Sequence, residues 1–82
     1  MLIEIFGSGC AKCQTLYRHA QAAVDASGGT HQIVKVEDYP TMAARGILST
    51  PALALEGRVR FQGKVAAPDE ILALLAGSPA LD

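Results

Sequence analysis

Cys10 and Cys13 are the two cysteines of the chain, and they are spaced C-x-x-C. Three kinds of chemistry suit such a pair: a disulfide staple, a metal site, or a redox dithiol that opens and closes. The staple is the weakest of these. A loop this short removes little entropy from the unfolded chain, and a reducing cytoplasm would keep the bond open. A closed structural zinc site needs four ligands, and the other soft candidates are His19 and His31. His19 falls beside Arg18 on the expected polar face of a helix, and His31 opens an expected strand, so both read as surface histidines. A two-thiolate carrier of a soft ion such as Cu(I) remains the alternative to the redox reading.

The elements that must position the pair follow from pattern. Leu2-Ile3-Glu4-Ile5-Phe6 is short, branched and apolar and runs into Gly7-Ser8-Gly9, which reads as a buried strand and a loop. A helix is expected from Cys10 or Ala11, because Cys13, Leu16, Tyr17, Ala20 and Val24 recur at spacings of three and four. Lys12, Arg18, Gln21 and Asp25 then face water, and Ser27-Gly28-Gly29 stops the helix. Gln32–Val36 reads as a second strand. Glu37-Asp38 reads as that strand's end and the cap of a short helix through Arg45, with Pro40 in its first turn. Ala52–Leu55 and Arg58–Phe61 flank Glu56-Gly57 as a hairpin, with Arg58 and Arg60 alternating with Val59 and Phe61 as its solvated face. Pro68-Asp69-Glu70 opens a last helix, which presents Ile71, Leu74 and Leu75 and ends at Gly77.

The order is β-α-β-α-β-β-α. A βαβ unit makes the first two strands parallel and the hairpin adds antiparallel ones, so the expectation is an α/β fold with a four-stranded mixed sheet and helices on both faces. One domain spans residues 1–77, and residues 78–82 form a flexible C-terminal tail.

That arrangement gives the two thiols different work. Cys10 belongs at the helix start, where free backbone N–H groups and the helix dipole favour an anion, and Lys12 adds a positive charge. Both favour the thiolate, the attacking species. Cys13 lies one turn on, beside Leu16 and Tyr17, and should be the more buried. Cys10 is therefore the nucleophile and Cys13 the resolving thiol. Two passive core cysteines are the bland reading, but nothing at a helix start calls for paired thiols.

Composition narrows the classes. The chain has 82 residues with half of them hydrophobic, including 14 alanines; Leu, Ile, Val and Phe together number 21. That supports one folded domain with a thin core. Seven basic and eight acidic residues leave no electrostatic footprint for nucleic acid or an anionic membrane. No spanning helix and no secretory signal are visible, so the cytoplasm is the expected location. A monomer is the default.

The chain resembles the thioredoxin superfamily, and more closely its small cytosolic branch of thioredoxin-like redox-active disulfide proteins. The likeness rests on Leu2–Phe6 running into Gly9-Cys10-Ala11-Lys12-Cys13, on Gly46-Ile47-Leu48-Ser49-Thr50-Pro51, and on Gly57-Arg58-Val59, Gly63 and the closing helix. The resemblance implies a thioredoxin-like fold and a thiol–disulfide oxidoreductase that needs no bound cofactor. It implies a protein or small-molecule disulfide as substrate, and a reductase or thiol donor upstream. It implies a cis bond before Pro51, with the Thr50 backbone facing the dithiol and pairing with an extended partner. It also places Glu4, six residues before Cys10, where the family keeps a buried acid near the resolving cysteine: facing inward with Leu2 and Phe6, Glu4 has a raised pKa and takes the proton of Cys13, and the alternative is a carboxylate that reaches solvent at the sheet's end. The chain departs from thioredoxin itself in having no Trp, in carrying Ala11-Lys12 between the cysteines, and in lacking a Gly-Gly-Asp segment near Gly63-Lys64-Val65.

Overall fold

A computed structural model describes residues 1–9 and 11–76. Cys10, the helix stop expected at Gly77 and the tail expected over 78–82 lie outside the described residues. The strands are β1 (Leu2–Phe6), β2 (Gln32–Val36), β3 (Ala52–Leu55) and β4 (Arg58–Gln62), and the helices are α1 (Ala11–Ser27), α2 (Tyr39–Ala44) and α3 (Pro68–Leu75). Their order along the chain is the expected β-α-β-α-β-β-α. The sheet order is β2-β1-β3-β4, with β1 parallel to β2 and antiparallel to β3, and β3 antiparallel to β4.

Alternation along β1 sends its side chains to two sides. Ile3 and Ile5 join Leu16, Ala20 and Ala23 of α1 and Ile71 and Leu74 of α3 in one apolar cluster. Phe6 joins Met42 of α2, Ile47, Ala52 and Ala54 in another. Helices α1 and α3 therefore cover one face of the sheet and α2 the other. Phe6, Ile3, Leu16, Leu53 and Ile71 are among the largest side chains wholly inside. Each contributes about 1.5–3 kcal/mol of burial, a large share for so small a core.

Local chemistry sets the ends. Ser27 Oγ donates to the Val24 carbonyl and accepts from Gly29 N–H as α1 stops. Asp38 caps α2 by accepting from the Thr41 N–H at 3.0 Å and from the Thr41 hydroxyl. At the start of α3, Glu70 reaches back to accept from the Ala67 N–H at 2.9 Å. Glu56 and Gly57 take φ values of 53° and 82°, so both turn residues are left-handed. Glu56 is fixed there by β1: its N–H donates to the Leu2 carbonyl at 2.9 Å, and its Oε1 accepts from the Leu2 N–H at 2.8 Å.

Two expectations change. The register slips between Leu53 and Ala54, so that Leu53 faces Phe61 while Ala54 faces Val59, and Arg60 is the extra residue of a β-bulge. One inserted residue reverses the alternation beyond it. Phe61 packs against the α1/α3 cluster and Val59 against the α2 cluster, and Arg60 is half-buried; the two arginines do not make one solvated face. His19 is the second. It is half-buried, with Nδ1 2.9 Å from the Ala66 carbonyl oxygen, and it joins α1 to the segment before α3.

Candidate dithiol site

Three strand ends converge at one end of the sheet. Phe6, the last residue of β1, stands opposite Val36 of β2 and Ala52 of β3. The loop 7–9 that leads into the C-x-x-C segment thus shares its end with Glu37, which follows β2, and with Thr50-Pro51, which precede β3. The Gly7 N–H donates to the Val36 carbonyl at 3.1 Å and closes the first of these junctions.

Cys13 is the third residue of α1 and is 5% exposed. Its position depends on Gly7. A Cβ there would overlap the Cys13 Sγ and lie 2.9 Å from its Cβ, so no larger residue lets the end of β1 close onto the thiol. Lys12 is exposed on the first turn, which carries no acidic residue. Gln14 donates from Nε2 to the Gly9 carbonyl at 3.0 Å and binds the loop back to the helix.

On the neighbouring strand the Thr50–Pro51 bond is cis, with Thr50 exposed and Pro51 buried. The Pro51 carbonyl accepts from the Gly63 N–H at 2.8 Å, and Gln62 Oε1 accepts from the N–H groups of Leu48 and Ser49 at 2.8 and 3.3 Å. The proline loop is thus fastened to Gln62, the last residue of β4, and to Gly63 just after it.

Glu4 lies elsewhere. It projects from β1 on the α2 side, the side of Phe6, away from α1 and Cys13. Arg45 at the end of α2 grips it with two hydrogen bonds of 2.8 and 2.7 Å. Those bonds hold the Glu4 carboxyl below its ordinary range, outweighing a smaller upward push from burial. The raised pKa expected beneath Cys13 is not found. Arg45 also donates to the Gly57 carbonyl at 3.3 Å and lies 5.3 Å from the centre of the Phe6 ring.

A recess opens beside Cys13 between α1 and the edge strand β2, walled by Gln14, Tyr17, Lys35 and Glu37. The Lys35 Nζ sits 4.4 Å above the centre of the Tyr17 ring, a cation–π contact. Lys35 and Glu37 were not singled out from sequence as site residues. The available signal was parity: Ile33 and Lys35 of β2 and Glu37 just after it alternate with their neighbours, and Lys35 pairs with Ile5, which faces α1. His31 lies just before β2, at the far end of the sheet from Gly7.

A family described as Thioredoxin domain matches residues 1–76 of the chain. The chain belongs to the thioredoxin superfamily. Within it, a thioredoxin of Methanothermobacter thermautotrophicus is 34% identical over 76 residues, which cover 93% of this chain and 99% of that one. A thioredoxin of Methanocaldococcus jannaschii is 37% identical over 71 residues, covering 87% and 81% respectively. The thioredoxin-like fold therefore agrees in sequence, element order and sheet topology. Among the described residues no helix is long and apolar enough to cross a membrane.

Proposed function

We propose that the chain is a thiol–disulfide oxidoreductase in which Cys10 attacks a disulfide and Cys13 resolves the mixed disulfide. The observation that carries this reading is Cys13, a buried thiol packed under Gly7 at the start of a helix, three residues after Cys10, in a member of the thioredoxin superfamily. Cys10 immediately precedes α1 in sequence and Lys12 lies two residues on; the positive end of a helix and a nearby cation both favour a thiolate. The overall exchange converts the dithiol and a partner disulfide into an intramolecular Cys10–Cys13 bond and two partner thiols, moving two electrons to the partner. A reductase or a small thiol donor returns them, and no bound cofactor takes part. Thr50, exposed at the cis bond beside the site, offers its backbone to an extended protein partner in the manner of an added strand. A reducing compartment such as the cytoplasm suits this cycle, with the chain acting as a monomer.

The test is a redox titration of the purified protein in defined thiol–disulfide buffers, read by alkylation and intact mass. A reversible two-electron transition at Cys10 and Cys13, within or near about −120 to −270 mV, is the expected result. Thiols that never form the intramolecular bond, or that leave purification holding copper, would overturn the proposal in favour of a soft-metal carrier.

A further inference from the structure

Resolution of a mixed disulfide requires Cys13 to give up a proton, yet its side chain is almost wholly enclosed. A thiol in that position has little direct access to bulk water and needs an acceptor near its sulfur. The recess beside it has a cavity volume of about 20 Å³, room for one water molecule. Glu37 forms part of its wall and is itself exposed, so a proton taken up there passes on to solvent. The Glu37 Oε2 would lie 3.5 Å from a Cβ built on Gly9, which places the carboxylate against the loop that leads into the dithiol. Glu4 of β1 is on the opposite face of the sheet and is held by Arg45.

We infer that Glu37 accepts the proton of Cys13, through one water in this recess, when the mixed disulfide is resolved. The inference rests on the exchange reading above. In the mixed disulfide the Cys10 sulfur is bonded to the partner's sulfur. Cys13 passes its proton to the water as the water passes one to Glu37, and the Cys13 thiolate attacks the Cys10 sulfur. The Cys10–partner bond breaks, its electron pair leaves on the partner's sulfur, and that thiolate is protonated from solvent or from Glu37. Among the described residues, the other titratable groups facing the recess are Lys35 from β2 and Tyr17 from α1, while β1 and its loop contribute Ile5, Gly7 and Gly9. The Lys35 ammonium is seated over the Tyr17 ring on the same wall of the recess.

The experiment mixes the reduced protein with 5,5′-dithiobis(2-nitrobenzoate) in a stopped-flow instrument. Attack by Cys10 releases one nitrothiobenzoate, and resolution by Cys13 releases a second. With Glu37→Gln the second release is slowed at least about tenfold at neutral and mildly acidic pH and converges on wild type in alkaline solution, where hydroxide takes the proton. Glu37→Asp recovers part of the loss and keeps the same pH dependence. Glu4→Gln leaves the second release at the wild-type rate throughout. Three results would overturn the inference: equal second phases in wild type and Glu37→Gln, a slowing of the same size at every pH, or an equal loss in Glu4→Gln. If the amide variant does not fold, an unchanged second phase in Glu37→Asp overturns it instead. A wild-type protein that releases only one nitrothiobenzoate refutes the exchange reading itself, and this inference with it.

Discussion

Gly7 has a negative role, in that what matters is the side chain it lacks. The Cys13 sulfur occupies the space where a Cβ would stand, so Gly7→Ala must push either the end of β1 or the first turn of α1 outward. The expected cost is about 1–3 kcal/mol in urea unfolding, as for other overpacked sites. Slower release of the second nitrothiobenzoate should accompany it, because Cys13, the thiol proposed to resolve the mixed disulfide, moves with the helix; a variant with wild-type stability would refute the contact. Glu4 and Arg45 make a second kind of residue pair, one that supports the fold from the far side of the sheet. Their side chains are 13% and 29% exposed. Arg45→Met leaves the Glu4 carboxylate, mostly covered by the protein, without its two donors, and lower stability at neutral pH is the expected result. Because the folded pKa of Glu4 is depressed, its contribution is complete above the unfolded value near ~4.3 and is lost as pH falls through the folded value. The gap between wild type and Arg45→Met in chemical denaturation should therefore narrow below about pH 4. Asp38 and Glu70 are depressed too, by Thr41 and by the Ala67 N–H with Lys64, and both proteins lose those contributions alike. The difference curve isolates Glu4.

The hairpin shows what element-level patterns leave out. Val59 and Phe61 read as one face because two residues apart normally means the same side of a strand. The bulge at Arg60 places them on opposite faces, each completing a different apolar cluster. Deleting Arg60 restores regular alternation and strips one cluster of its covering side chain, an expected loss of at least about 2 kcal/mol in urea unfolding. A deletion that unfolds like wild type would show that the bulge is dispensable. All seven elements were legible from sequence because their signals are local: the branched residues of β1, the Gly28-Gly29 stop of α1, the Asp38 cap and the Pro68 start of α3. The pairing of Glu4 with Arg45 was not, since the partner lies 41 residues away and is delivered by a helix on the other face. Glu37 was read by its neighbours in sequence, as a strand end beside a cap. Its wall position depends on how α1 lies across β2, which no short window contains. Glu56 made a weak turn signal for the same reason, because the Leu2 backbone that holds it belongs to a different strand.

For the whole molecule, the thin core makes the last helix indispensable. Ala66, Ile71 and Leu74 belong to the same cluster as Ile3, Ile5 and Leu16, so a chain ending at Val65 loses part of that cluster and exposes one side of α1. Such a truncation is expected to show no cooperative melt by circular dichroism, since small domains hold only a few kcal/mol in reserve; a sharp transition would refute this. The sheet also separates two kinds of work. Cys13, the recess and α1 lie on one side of it, while Arg45, Glu4 and α2 lie on the other. Effects at well-separated sites without shared partners add. Selection can therefore harden the α2 side for a hotter cell, or loosen it for faster degradation, one substitution at a time, while the rate of electron transfer on the other side is inherited unchanged.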